Sequence, residues 1–399
     1  ADMERAGFHE YNSRPYLGYT LTALLNLQSF AGPRVSAAAT RILDRANWES
    51  ALGSLQYRRF PPFRRQPGRA ADTDLDGDYH TAMVKTWMSL VPDNTVPEEI
   101  RAGDHQALWV PFSSYRIPDE TAQWLEAKPR EYFVRFGLGH DGSPELYSGG
   151  PDYLITAGGV ARDRFEQAVA RPTTLMLNDG SLELHELISI SGAGEDYRQW
   201  NNTGVYRRFA VGKRLQVPAN WSPIAQQGNW SMYSQSRLSI ITYADQQTAF
   251  FYVVPQDARQ EEESMLNAII ERNPVAALRA AFVTLDDTTI SYDPDADVDS
   301  LLGRNRENRR RRRYPRRWVV DDGGARRIPV RRPADRHSDP DRREQYGRAR
   351  QRSTSQSRLQ AVTRSIAISR DWPHLAHFAR LLRAGGCIDC AKQSLGEED

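Results

Sequence analysis

The chain has 399 residues, 39% of them hydrophobic, and a formal net charge of +2, which is enough apolar material for the cores of two domains. No apolar run is long enough to span a bilayer, and Ala1-Asp2-Met3-Glu4-Arg5-Ala6 lacks the basic-then-apolar order of a signal peptide, so no membrane role is expected. The near-neutral balance hides a division. Residues 303–352 hold 19 Arg, no Lys and 7 acids and residues 353–399 hold 6 basic and 5 acidic groups, which leaves positions 1–302 with 28 basic and 39 acidic residues, a balance of −11. A basic groove in the main body is therefore not implied by the overall pI.

The first predicted element follows Glu10-Tyr11-Asn12-Ser13. Ser13 reads as an N-cap, Pro15 suits a first helical turn, and Leu21, Leu24, Leu25 and Leu27 carry an apolar helix to Gly32-Pro33. Asn12 and Tyr16, four residues apart, are expected to project together. Val35, Ala38, Ala39, Ile42 and Leu43 give a second amphipathic helix, and 82–90 and 120–126 further ones. From Tyr132 the texture changes to short β runs: 132–136, 153–156, 182–190, 238–243 and 249–254, with 281–285 and 288–292 as a hairpin. Residues 261–272 read as a helix ended by Asn273-Pro274. Helices first and many spaced strands afterwards argue for an α+β chain with an antiparallel sandwich.

The stretch Phe8-His9-Glu10-Tyr11-Asn12-Ser13-Arg14-Pro15-Tyr16, continued by Ala23-Leu24-Leu25-Asn26-Leu27, resembles bacterial heparinase II/III-like and alginate-lyase-like polysaccharide lyases. Tyr115-Arg116-Ile117-Pro118, the segment from Glu145-Leu146-Tyr147-Ser148-Gly149-Gly150 to Ala157-Gly158-Gly159, and Arg171-Pro172-Thr173-Thr174-Leu175-Met176 extend the likeness over about three quarters of the chain. The resemblance implies an incomplete α/α toroid followed by a β-sandwich. On that pattern 1–130 is the toroid segment, 131–302 the sandwich, 303–352 an Arg-rich disordered segment and 353–399 a tail with one short helix. Twelve toroid helices with their loops need about 200 residues, so the expectation is a chain that starts partway through its toroid.

The function this implies is cleavage of a uronate-containing glycan by β-elimination. That reaction needs a group to neutralise the uronate carboxylate, a base for the C5 proton and an acid for the departing O4. Asn12 is the candidate neutraliser and Tyr16 the candidate base, acid or both. His105 is preferred to His80 as a third member because it precedes the family-like stretch. Arg59 and Arg64, beside Phe60-Pro61-Pro62-Phe63, are placed to grip carboxylates, and Glu10, Arg14 and Tyr115 complete the candidate substrate-binding set. The bland reading of Tyr11, Tyr16 and Tyr19 is a helix-packing face, and that of the Arg-rich loop is a solvated surface. A glycoside hydrolase with paired carboxylates and a non-catalytic carbohydrate-binding or scaffold protein are the alternatives.

No cofactor is required by this chemistry. Asp72, Asp74 and Asp76 open like an EF-hand loop, but position twelve is Met83 rather than Glu, so an acidic surface loop competes with a calcium site. His374, His377, Cys387 and Cys390 have zinc-ligand spacing, yet the same segment reads as an amphipathic helix whose His residues face solvent. The Arg-rich segment admits a polyanion-binding tail, a solvated linker or a shifted reading frame. An acidic polysaccharide or oligosaccharide is the expected partner, with no membrane and with nucleic acid disfavoured.

Overall fold

The computed structural model describes residues 8, 11–13, 16–65, 67–92, 105–136, 145–158, 168–169, 171–192, 203–256 and 262–292, all within the compact unit Ala1–Pro329. Glu10, Arg14, the Arg-rich segment and the zinc-spaced residues His374, His377, Cys387 and Cys390 lie outside the described residues. No helix among the described residues is long and apolar enough to cross a membrane.

Helix α1, Tyr16–Phe30, buries Leu17, Leu21, Leu24 and Leu25 along one stripe. Helix α2, Pro33–Leu52, starts behind an extended Gly32 with Pro in its first turn and runs about two and a half turns beyond the segment predicted from Val35 to Leu43. Its buried face continues through Ala46, Asn47, Ser50 and Ala51, where small and polar residues hide the periodicity from an apolar count. Helix α3, Tyr79–Met88, begins earlier than expected because the Asp78 carboxylate accepts the His80 backbone N–H at 2.9 Å. A short helix α4, Trp109–Phe112, and helix α5, Asp119–Glu126, complete the helical layer.

Two six-stranded antiparallel sheets follow. The first has the order β10 (Arg214–Gln216), β7 (Ile188–Ser191), β6 (Thr173–Leu177), β4 (Tyr153–Gly158), β3 (Glu145–Gly149), β2 (Tyr132–Phe136). The second has the order β11 (Ala225–Gln227), β12 (Trp230–Gln235), β13 (Leu238–Ala244), β14 (Ala249–Pro255), β9 (Phe209–Gly212), β8 (Gly204–Tyr206). Strands β1, Phe63–Arg64, and β5, Ala168–Val169, form a separate two-stranded ribbon. Beyond the second sheet lie helix α6, Glu262–Arg272, and the hairpin β15 (Ala281–Val283) and β16 (Thr289–Ser291).

Side-chain alternation turns these strands into layers. On β3, Leu146 points into a core shared by the two sheets, with Ile155, Leu175, Ile190, Ile240 and Phe251, whereas Tyr147 points the other way into the core of the helical layer. Leu154 and Met176 do likewise beside Leu43, Leu52 and Trp87. The first sheet is thus covered on both faces, which is why its central strands are buried throughout. The second sheet is covered in the same way, with Phe209, Ile241 and Phe250 packed against Met265, Ile269 and Phe282. The chain is α+β, with helices and antiparallel sheets in successive layers.

Candidate functional site

Where the helical layer meets β3, a polar cluster interrupts the apolar core. Glu145 and Tyr147 are two residues apart on one strand and therefore share the face turned toward the helices. The Tyr147 hydroxyl donates to Glu145 Oε2, and the same oxygen accepts the Asn12 amide at 2.8 Å. Asn12 also donates to the Pro62 carbonyl at 3.0 Å, while its own Oδ1 accepts from Arg59 at 3.2 Å. A second Arg59 nitrogen is paired with Asp78, the N-cap of α3. Two elements distant in the chain are tied together here, since Arg64 N–H also bonds the Tyr11 carbonyl at 3.1 Å.

Asn12 adopts φ 50°, a left-handed conformation that Asn tolerates better than most residues. It therefore lies outside the helical spiral, and the four-residue spacing to Tyr16 does not bring the two side chains together. Ser13 contributes its carbonyl, which accepts Leu17 N–H at 2.9 Å; its buried hydroxyl makes no capping bond.

Two hollows meet at Asn12 and Arg59. The larger is a cleft of about 440 Å³ whose walls include Phe60, Phe63, Asp78 and Arg171. The Arg171 guanidinium lies over the rings of Phe60 at 4.3 Å and Phe63 at 4.8 Å and donates to the Asp72 carbonyl, so this wall is stacked and fixed. The smaller is a cavity of about 20 Å³ bounded by Tyr11, Glu49, His80 and Glu145 as well as the two shared residues. That is room for one water among polar partners.

Burial decides the protonation states. It pushes the Glu145 carboxyl up to about 7, with Glu49 nearby adding to the rise and the bonds from Tyr147 and Asn12 opposing it. It pushes Glu49 upward too, against the pull of Arg45 at 2.7 Å. His80 is held down to about 3, first by burial and then by the Arg59 charge, so its imidazole is neutral. Burial disfavours the Arg59 charge as well, but Asp78, Tyr147 and Glu145 outweigh it and the guanidinium stays charged. The cluster thus holds a fixed cation, a neutral imidazole and a carboxyl that titrates near neutrality, which together can bind an anion, accept a proton and donate one.

Of the residues singled out in the sequence, Asn12 and Arg59 come together at this point. Tyr16 stands 39% exposed at the start of α1 with the Arg65 guanidinium 5.1 Å above its ring, and it lines neither hollow. His105 is exposed on a short 3-10 turn, His105–Leu108, and lines neither, whereas His80 borders the small cavity. Arg64 is buried on β1. Tyr115 is buried and spends its hydroxyl on Asp44 and Asn47 rather than on a solvent-facing wall. Glu145, Tyr147 and Asp78 were not among the predicted site residues, although the alternation of Glu145 and Tyr147 on one strand face is visible in the sequence.

Asp72 pairs with Arg69 at 3.3 Å, Asp76 with Lys85 at 2.8 Å, and Asp74 accepts the Asp76 backbone N–H at 2.9 Å. Among the described residues no group of three or more His, Cys, Asp or Glu is placed to hold a metal ion.

No family model, curated protein or solved structure matches the chain.

Proposed function

We propose that this is a polysaccharide lyase that cleaves a uronate-containing glycan by β-elimination, with the helical layer as an incomplete α/α toroid set on a β-sandwich. The observation that carries the reading is that Asn12 and Arg59 line both a stacked aromatic and arginine cleft and the small cavity bordered by His80 and Glu145, the latter bonded to Tyr147. Sugar rings suit the Phe60 and Phe63 wall, and a uronate carboxylate suits the charged Arg59 with Asn12 beside it. Neutralising that carboxylate acidifies the C5 proton. His80, neutral at physiological pH, takes the C5 proton and the Glu145 carboxyl, which Tyr147 bonds, returns one to the departing O4, both through the small cavity and the water it has room for. Asn12, which bonds both Arg59 and Glu145, is the side chain across which the cleft and the cavity communicate.

The test is incubation with a panel of uronate glycans while following the ultraviolet band of an unsaturated uronate. Growth of the band is expected. New reducing ends without it would replace this reading with hydrolysis, for which Asp78 and Glu145, both interacting with Arg59, would be the two carboxyls. Glycan binding with neither product would leave a non-catalytic carbohydrate-binding protein.

A further inference from the structure

A second chain of hydrogen bonds leaves the small cavity in the opposite direction from the cleft. His80 Nε2 lies 2.9 Å from Asn47 Oδ1, Asn47 Nδ2 lies 3.2 Å from the Tyr115 hydroxyl, and that hydroxyl lies 2.9 Å from Asp44 Oδ1. Asn47, Tyr115 and His80 are buried, and Asp44 at the far end is partly exposed. Trp87 packs edge-on against both rings, 6.4 Å from His80 and 5.5 Å from Tyr115, which holds them in place.

The direction of every bond follows from one end. An ionised Asp44 has no proton, so it can only accept, and the Tyr115 hydroxyl must spend its single hydrogen there. Burial and the Asp44 charge both raise the Tyr115 phenol far above its ordinary range, so that hydrogen is present at any working pH. The Tyr115 oxygen is then left to accept, which only the amide nitrogen of Asn47 can satisfy. Asn47 accordingly turns its carbonyl oxygen to His80. A carbonyl cannot donate, so the hydrogen between them belongs to His80 Nε2.

We propose that Asp44, through Tyr115 and Asn47, fixes His80 as its Nε2–H tautomer and so reserves Nδ1 as the lone pair that takes up a proton. The assignment rests on the role of base given to His80 above and adds three positioning residues to it: Asp44, Tyr115 and Asn47. None of them lines the cleft or the cavity, so none contacts substrate. A permuted tautomer would place a hydrogen on Nδ1 and leave the base without its lone pair.

The experiment is nitrogen NMR of the full chain carrying 15N-histidine, at a mildly alkaline pH where Asp44 is ionised, with the His80 signals assigned by their loss in His80→Gln. The expected spectrum has a protonated-type Nε2 and a bare-type Nδ1. In Asp44→Asn the terminal group can donate as well as accept, so the polarity is no longer imposed and the two nitrogens move toward averaged shifts; Tyr115→Phe, which deletes one hydroxyl, does the same and serves if the first variant does not fold. Turnover should fall roughly tenfold or more with little change in KM. A wild-type Nδ1–H tautomer, or unchanged His80 shifts in both folded variants, overturns the proposal. Because the tautomer is read without substrate, an Nε2–H spectrum that responds to these variants in a protein that cleaves no uronate glycan would uphold the positioning chain and defeat only the lyase reading.

Discussion

Gly53 stands against the ring of Tyr147 so closely that a β-carbon there would lie 2.7 Å from Tyr147 Cζ. The glycine caps the C-terminus of α2, its N–H reaching the carbonyls of Ala51 and Glu49, at φ −93°, a backbone that alanine can also adopt. Its smallness is therefore required by the tyrosine rather than by the turn. Gly53→Ala should push the ring off its place, costing about 1–3 kcal/mol in stability as an overpacked core does. It should also loosen the bond from Tyr147 to Glu145 and move the Glu145 titration. Denaturant unfolding and infrared titration of the carboxyl check both halves; a variant with unchanged stability and unchanged titration would mean that the ring has room the geometry denies.

Glu145 and His80 should give pH dependences of opposite sign. A carboxyl raised from 4.5 to about 7 binds its proton better in the folded state, so its contribution to stability falls as pH rises between those values. An imidazole lowered from 6.5 to about 3 binds its proton worse when folded, so its contribution rises with pH from 3 to 6.5. Each slope is about 1.4 kcal/mol per pH unit, and between pH 4.5 and 6.5 the two offset one another. Glu145→Gln keeps the shape and removes one of them. The variant should gain on the parent by about 1.4 kcal/mol per pH unit between pH 4.5 and about 7, and no further above that, measured by urea unfolding at several pH values. Parallel curves would show that Glu145 is not protonated in the folded state.

Lys128 offers a third titration, away from the site. It is buried, with its ammonium donating to the carbonyls of Ala51, at 2.8 Å, and Trp124, in the final turns of α2 and α5. Burial lowers it from 10.5 to about 7. The native state is therefore penalised fully below pH 7, and the penalty disappears as pH rises to 10.5. Lys128→Met loses two end-of-helix bonds but keeps the aliphatic packing. Its stability relative to the parent should decline by about 1.4 kcal/mol per pH unit between pH 7 and 10. A constant offset across that range would mean that Lys128 remains charged throughout.

Helix and strand positions were legible wherever side-chain periodicity was undisturbed. The paired runs around Leu238 and Phe250 became β13 and β14 nearly as predicted, and α6 ended where Asn273 takes over its last carbonyls, bonding the Ile269 carbonyl at 2.9 Å. The run 182–190 reads as one strand because apolar and polar residues largely alternate along it; instead a 3-10 turn, Leu184–Glu186, precedes β7, closed by reciprocal bonds between Glu183 and Glu186. The site was only half legible. Asn12 is visible as an amide ahead of a helix and Arg59 as a guanidinium beside an aromatic loop, but Asn12 and Glu145 are 133 positions apart, and no spacing rule couples them. The preference for His105 over His80 follows from sequence context, whereas the burial of His80 and its place behind the Asp78 cap are tertiary properties.

The sharpest contrast lies between two tyrosines. Tyr16 was the candidate proton carrier from the sequence, and its ring stacks under Arg65 at a partly exposed helix start. Tyr147 is buried, bonded to Glu145, and raised far above the ordinary phenol range by burial and by that carboxylate, so it holds its proton until a stronger base forms beside it. A departing alkoxide at O4 is a strong enough base to take the proton of Glu145. If Glu145 hands over that proton while Tyr147 holds its carboxyl, Tyr147→Phe should lower turnover by about 100-fold or more while leaving the fold intact, because only a hydroxyl is removed. Tyr16→Phe should stay near the parent rate, since its partly exposed ring stacks under Arg65, whereas the Tyr147 hydroxyl bonds Glu145. Asn12→Ala should resemble Tyr147→Phe and also raise KM, having lost a contact to Arg59 as well as to Glu145. All three are compared on folded protein with whichever uronate glycan is cleaved. The reverse order, with Tyr16→Phe inactive and Tyr147→Phe unaffected, would return the chemistry to the helix start and leave the Glu145 cluster as packing.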